Sequence, residues 1–251
     1  MLQIRRTVPI FSDHTQRRFP REAPNAEGRT TSVTIGPARL GRLPADAAAV
    51  GAVIFFALFV ALGLLAVSGR TLLVDQTAML WIHRWSSPNL TTAMRLLTNL
   101  GSFVAAGPFC LAEAAAYYLS RRRRIAVILL LSVGSEPLVD GLTKLVFARP
   151  RPELWPHLAP ASGFSYPSGH TLLATIAYGF SALLLARCVW QGRHLIAAFL
   201  VAAAIILVVA MSRVYLGVHY PSDVVGSMLL GTSWICIWWN VLNTRLSNSA
   251  V

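Results

Sequence analysis

Apolar residues along this chain fall in long blocks rather than in the alternation of a water-soluble protein. Ala47–Val67 carries no charge, and five more blocks follow: Gly101–Ser120, Ile125–Phe147, Thr171–Ala186, Leu195–Ser212 and Val224–Asn243. A helix needs roughly 20 apolar residues to cross about 30 Å of hydrocarbon, and these blocks approach that length. Thr171–Ala186 is the shortest, so its helix is expected to start a few residues earlier. Between the first two blocks, Val74, Ala78, Trp81 and Trp85 recur at near-helical spacing, with Asp75, Gln76 and His83 among them. Mixed polarity at that spacing predicts an amphipathic helix lying in the membrane interface. The pattern as a whole predicts an all-α polytopic membrane protein with six transmembrane helices and an interfacial helix between the first and second. Residues 1–46, rich in Arg, Pro, Ser and Thr, read as a disordered cytoplasmic tail ahead of a membrane domain over 47–245. Residues 246–251 form a short C-terminal tail.

Composition agrees with the pattern. Of 251 residues, 55% are hydrophobic and 13% charged, against about 25% charge in soluble domains. A net charge of +12 would suggest nucleic acid in a soluble chain. Here the cations stand in short Arg blocks beside apolar spans, so topology accounts for them and no nucleic-acid partner is expected. With both termini in the cytoplasm, fifteen of the 22 cations fall inside, including Arg121 to Arg124, and seven outside. Arg5-Arg6 stands some forty residues ahead of the first apolar block, too far for a twin-arginine export signal. Asp13, Glu22 and Glu27 argue against an organellar transit peptide. Cys110, Cys188 and Cys236 lie scattered within or at the ends of apolar runs, which fits neither a disulfide framework nor a zinc site.

Chemistry concentrates at three span ends on the outer face. Lys144, the only lysine, precedes Arg149-Pro150-Arg151-Pro152. A single Lys in an Arg-rich chain suggests a compact point charge, although a cation snorkelling from a span end has the same appearance. The prolines hold extended chain, so Arg149 and Arg151 are expected to point the same way, and geometry does not choose between them. Pro167-Ser168-Gly169-His170 precedes the fourth span. Ser168 suits a helix cap, and the free N–H groups of a helix start suit a bound phosphate. Ser212-Arg213 and, further on, His219 and Asp223 join the last two spans. Asp223 is close enough in sequence to bind one His219 ring nitrogen, leaving the other as a nucleophile; it also suits a plain helix-start anion. Within the membrane, Asp140 can pair with Lys144 at i,i+4. Glu113 and Glu136 either pair, line a polar cavity or fix helix packing.

Taken together, Lys-x6-Arg-Pro, Pro-Ser-Gly-His and Ser-Arg-x5-His-x3-Asp resemble the tripartite signature of the type-2 phosphatidic acid phosphatase superfamily, and the six-span layout resembles its bacterial lipid phosphatase branch. The resemblance implies Arg151 as the signature arginine, with Arg149 accessory. It implies His219 as nucleophile on phosphorus, held by Asp223, and His170 as the acid on the leaving oxygen and then the base for water. Lys144, Arg151, Ser168, Gly169 and Arg213 would bind the phosphate. It implies no cofactor and no metal, the cations doing the metal's work. The implied partner is a phosphorylated lipid in the bilayer, of the undecaprenyl pyrophosphate, phosphatidylglycerol phosphate or phosphatidic acid class. The implied location is the bacterial inner membrane with the site on the extracytoplasmic face. A phosphotransferase that hands the phosphoryl group to a second lipid shares the signature. A transporter would place its charges at midplane rather than at span ends.

Overall fold

The computed structural model describes residues 45–188 and 193–247. The tail over 1–44, the link at 189–192 and the last four residues lie outside the described residues, as do the expectations that fall on them. By contacts the chain divides into Met1–Pro37 and Ala38–Val251, and every described residue belongs to the second unit.

The described chain is helical throughout, without a strand among the described residues. In order it runs α1 (Ala45–Val67), α2 (Leu72–His83), α3 (Pro88–Leu97), a 3-10 turn (Thr98–Gly101), α4 (Phe103–Leu119), α5 (Arg123–Gly134) and α6 (Glu136–Phe147). Then come α7 (Gly169–Ala174), a π turn (Thr175–Gly179), α8 (Phe180–Cys188), α9 (Arg193–Tyr215) and α10 (Pro221–Ser247). Five stretches are long and apolar enough to cross a membrane: Asp46–Val67, Arg123–Phe147, Gly169–Cys188, Arg193–Tyr215 and Pro221–Thr244. The block expected at 101–120 forms the shorter α4, which joins α3 and the 3-10 turn across a 41° bend; counted as one span, that pair makes a sixth.

Two elements differ from the sequence reading. α3 was not anticipated, because its apolar content is low. Its start is nonetheless written in the chain: Ser87 caps it, accepting from the Leu90 N–H at 3.3 Å, and Pro88 takes the first turn, where a missing N–H costs nothing. The third span is two helices meeting at Ser135, with Pro137 in the first turn of α6. Proline there cannot donate to the preceding turn. The fourth span starts at Gly169, two residues ahead of its apolar block, as expected, and carries a π turn inside it.

The fourth span is the centre of the body: 67% of its most apolar window is buried, against 22% for α1 at the periphery. α1 lies along α10, with Ser233 Oγ donating to the Ala52 carbonyl at 2.8 Å. Large apolar side chains such as Val53, Ile54, Leu64 and Leu200 remain exposed; lipid covers such surfaces in an integral membrane protein. One end of the body gathers the C-termini of α6 and α9 and the N-termini of α7 and α10. Ala148, left-handed at φ 44°, stops α6 and closes on the Lys144 carbonyl. The chain then runs without regular structure from 148 to 168. Phe59, Phe147 and Tyr166 fix this loop: Phe59 stacks on Tyr166 at 5.2 Å, and Phe147 meets both edge-on. The Tyr166 hydroxyl donates to the Phe59 carbonyl at 2.7 Å.

Candidate active site

The C-terminus of α6 supplies Lys144, the following loop Arg151, the start of α7 Gly169 and His170, the end of α9 Arg213, and the α9–α10 turn His219. All six line one cavity of about 680 Å³. Close helix approach makes this convergence possible. A Cβ on Gly101 would stand 2.6 Å from the His170 carbonyl oxygen, and one on Gly169 would stand 3.0 Å from the Asp140 carboxylate. Gly101 leaves no room for a Cβ against that backbone, and at Gly169 a Cβ would press on the Asp140 carboxylate. A second cavity of about 700 Å³ adjoins the first, shares His170 and Arg213 with it, and adds Arg95 and His157.

His219 is 2% exposed and has its two nitrogens in different surroundings. Nδ1 lies 2.8 Å from the Ser165 carbonyl oxygen. A carbonyl only accepts, so Nδ1 carries the proton and Nε2 keeps its lone pair. Nε2 faces the cavity, with Arg151 Nη1 at 3.3 Å. Burial pushes the ring's pKa down to about 4; Asp223 opposes the shift, and Arg213 and Arg151 add to it. The imidazole is therefore neutral near pH 7.

The relation of His219 to Asp223 differs from the expectation. The nearest carboxylate oxygen is 3.5 Å from Nδ1, so Ser165 makes the closer contact. Asp223 is fully buried and works as a hub. Its Oδ1 takes Arg149 Nη1 at 2.5 Å, and its Oδ2 takes the Tyr220 N–H at 2.8 Å and the Ser165 hydroxyl.

The two arginines also part company. Arg149 and Arg151 do not point the same way: each side chain turns to its own set of partners. Arg149 turns inward, 3% exposed, and stacks on Tyr220 at 4.1 Å. Burial works against its charge, but Asp223 and Asp75 outweigh that and raise its pKa. Arg151 faces the cavity, anchored by the Val218 carbonyl at 2.7 Å and the Ser162 carbonyl at 2.8 Å. Arg213, 4% exposed, donates to Thr98 Oγ1 at 3.1 Å, and its Nε has no partner. Lys144 pairs with Asp140 at 2.6 Å, as the i,i+4 spacing predicted.

Ser168 stands ahead of α7 without a side-chain cap bond. Its hydroxyl accepts from Thr171 at 3.2 Å and its N–H donates to Ser227 at 2.7 Å. Glu113 and Glu136 do not pair: Glu136 lines the cavity, whereas Glu113 accepts from the Ser181 hydroxyl elsewhere in the body. Among the described residues, no three His, Cys, Asp or Glu side chains gather to hold a metal ion. Sequence reasoning missed Ser165, Ser222 and the part played by Asp75; Ser222 falls at an unspecified position of the third motif, and the other two stand outside the motifs.

A sequence model of the PAP2 superfamily matches residues 125–247. Phosphatidylglycerophosphatase B of Bacillus subtilis is 32% identical over 145 residues, covering 57% of this chain and 71% of its own length. Undecaprenyl-diphosphatase of Sulfolobus acidocaldarius is 34% identical over 120 residues, covering 46% of this chain and 53% of its own. The crystal structure of a transmembrane PAP2-type phosphatidylglycerolphosphate phosphatase from Bacillus subtilis superposes with a TM-score of 0.71 at 27% identity, covering 77% of this chain and 96% of that one.

Proposed function

The chain belongs to the PAP2 superfamily, and from that premise we propose that it removes a phosphate from a lipid phosphate or diphosphate through a metal-independent phosphohistidine. It is an integral membrane protein and a phosphoric ester hydrolase, and its relatives are lipid phosphatases. The observation that carries the finer reading is the state of His219: one nitrogen protonated against Ser165, the other bearing a lone pair toward a cavity lined by Lys144, Arg151 and Arg213.

In this reading Nε2 attacks phosphorus. Lys144, Arg151 and Arg213 offset charge on the equatorial oxygens, where it concentrates in the transition state. The unpartnered Arg213 Nε is a donor awaiting an acceptor. As the bond from phosphorus to the leaving oxygen breaks, His170 gives that oxygen its proton. His170 then takes a proton from water, the water oxygen bonds phosphorus, and the P–N bond returns its electrons to Nε2. Gly169 lines the cavity beside this path, whereas Ser168 is buried and does not line it. Asp140 fixes Lys144.

A panel of undecaprenyl pyrophosphate, phosphatidylglycerol phosphate and phosphatidic acid, read by phosphate release with EDTA present, tests the reading. Full loss on chelation with recovery by Mg²⁺ sinks the metal-free mechanism. Phosphorylated lipid in place of free phosphate identifies a phosphotransferase. His219→Ala should form no phosphoenzyme. His170→Ala should spare the first step on a nitrophenyl phosphate, whose leaving oxygen needs little protonation, and accumulate the phosphoenzyme as a burst. Retained turnover in His219→Ala, with no phosphoenzyme in His170→Ala, would exchange the two roles.

We place the termini in the cytoplasm and the site on the extracytoplasmic face of a bacterial inner membrane. Arg121 and Arg122 join α4 to α5, and Arg123 and Arg124 open α5, at the end of the body away from the cavity, where Arg122 also reaches the Cys188 carbonyl at 2.9 Å. A reporter fused after residue 124 should read cytoplasmic and one within 153–165 extracytoplasmic. The reverse pattern would move the site inside.

A further inference from the structure

An amphipathic helix in the membrane interface ordinarily sets its acids toward water. In α2, by contrast, Asp75 is 2% exposed. The exposed face of the helix carries Leu73, Val74, Leu80 and Trp81. The carboxylate accepts from four directions. Arg149 Nη2 lies 2.8 Å from Oδ2, the Ser222 hydroxyl 2.6 Å and the Thr71 hydroxyl 2.8 Å from the same atom, and the Ser222 N–H 2.9 Å from Oδ1. Ser222 precedes Asp223 in the first turn of α10. Asp75 thus pins both the start of that helix and the guanidinium that grips Asp223. The main chain closes the circuit: the Ser165 N–H donates to the Arg149 carbonyl at 2.8 Å, and the Ser165 carbonyl holds His219 Nδ1.

We propose that Asp75 and Arg149 are positioning residues for His219, acting through Asp223 and Ser165. Neither lines the cavity. The row of charges Asp75, Arg149, Asp223 sets how much negative charge Asp223 presents to the ring, and Asp75 does so by drawing Arg149 partly away from it. Asp75 stands outside the stretch matched by the family model. The proposal rests on the reading of His219 as nucleophile.

The sign of the effect follows from electrostatics. His219 must be neutral to attack, so kcat/KM falls on the acid side as the ring is protonated. The ring faces Asp223 and the Ser165 carbonyl on its Nδ1 side. On its cavity side are Lys144, Arg151, His170 and Arg213, with Asp140 and Glu136 lining the same cavity. Asp75→Asn removes a negative charge and leaves Arg149 wholly to Asp223, which disfavours the imidazolium. Arg149→Gln removes a positive charge and favours it. The two substitutions therefore move the acid limb in opposite directions: Asp75→Asn toward lower pH and Arg149→Gln toward higher, each by about 0.5–1 unit. In both, kcat should fall roughly tenfold or more with KM nearly kept. Substrate ionisation is common to all variants and cancels in the comparison.

The experiment is the pH profile of kcat/KM on one short-chain lipid phosphate in detergent, with a ¹⁵N-histidine titration of the free enzyme as a second readout. If Arg149→Gln does not fold, Asp75→Asn/Arg149→Gln removes the two charges together and should still raise the limb. A fall in kcat with the limb and the ¹⁵N titration unmoved, or moved the same way in both single variants, overturns the proposal and leaves the nucleophile reading standing. An unlabelled His219 after substrate trapping in the parent enzyme overturns the nucleophile reading and the proposal with it.

Discussion

Two clusters of charge meet at His219, one on each ring nitrogen. On the Nδ1 side, Asp75, Arg149 and Asp223 are all but sealed from solvent, and each charge is paired. On the Nε2 side, Lys144, Arg151 and Arg213 face a cavity, and a buried guanidinium nitrogen of Arg213 has no partner. A buried charge is tolerated where its bonds are complete, and removing one partner is costly. A buried donor left without an acceptor destabilises the resting protein and gains its partner only when an anion arrives. The first cluster is thus a support and the second a receptor, although Arg149 of the one and Arg151 of the other stand two residues apart in the chain.

The largest effects separate the two by what they damage. Arg149→Met strands two buried carboxylates, so it should cost about 3–5 kcal/mol of stability, read as a lowered thermal midpoint in detergent. Arg213→Met should leave that midpoint within about 1 kcal/mol of the parent, since it removes an incompletely bonded charge. Its cost appears in catalysis, as a roughly 10²–10³-fold loss of kcat/KM. Vanadate, a mimic of pentacoordinate phosphorus, should raise the midpoint of the parent and not that of Arg213→Met. If Arg213→Met unfolds the protein while Arg149→Met only slows it, the assignment of support and receptor is reversed.

The receptor was far more legible in the sequence than the support. Lys144, Arg151, His170, Arg213 and His219 sit at span ends in spaced motifs, and hydropathy alone locates span ends. Asp75 carries no such mark. Its neighbours Val74 and Gln76 give an amphipathic pattern that assigns any acid to the watery side, and only the packing of α2 against α9 and α10 turns it inward. Arg149 against Arg151 was undecided for a related reason. Period-two reasoning places both side chains on one face, whereas buried partners from distant elements, Asp75 and Asp223 on one side and the Val218 carbonyl on the other, draw the two apart. The bonding of Ser165 to His219, across 54 positions, has no local signature at all. The body was legible because lipid demands long apolar helices. α3 was not, because a ten-residue helix carries too little apolar surface to stand out.

His219 belongs to both clusters, which gives the smallest and most pointed effect. Its folded pKa of about 4 lies below the ordinary 6.5, chiefly through burial. Between those values the unfolded chain binds a proton that the folded chain refuses, so stability rises with pH across this window. Below about pH 4 both states are protonated and the dependence on this group ends. Its slope cannot exceed about 1.4 kcal/mol per pH unit for one proton. His219→Gln keeps a side-chain amide N–H for the Ser165 carbonyl and has nothing to titrate. The parent should therefore lose stability relative to His219→Gln as pH falls from 6.5 to 4, read as a growing gap between thermal midpoints. A constant gap across that window would mean that the folded and unfolded rings take up the proton alike, and that burial does not lower the pKa of His219.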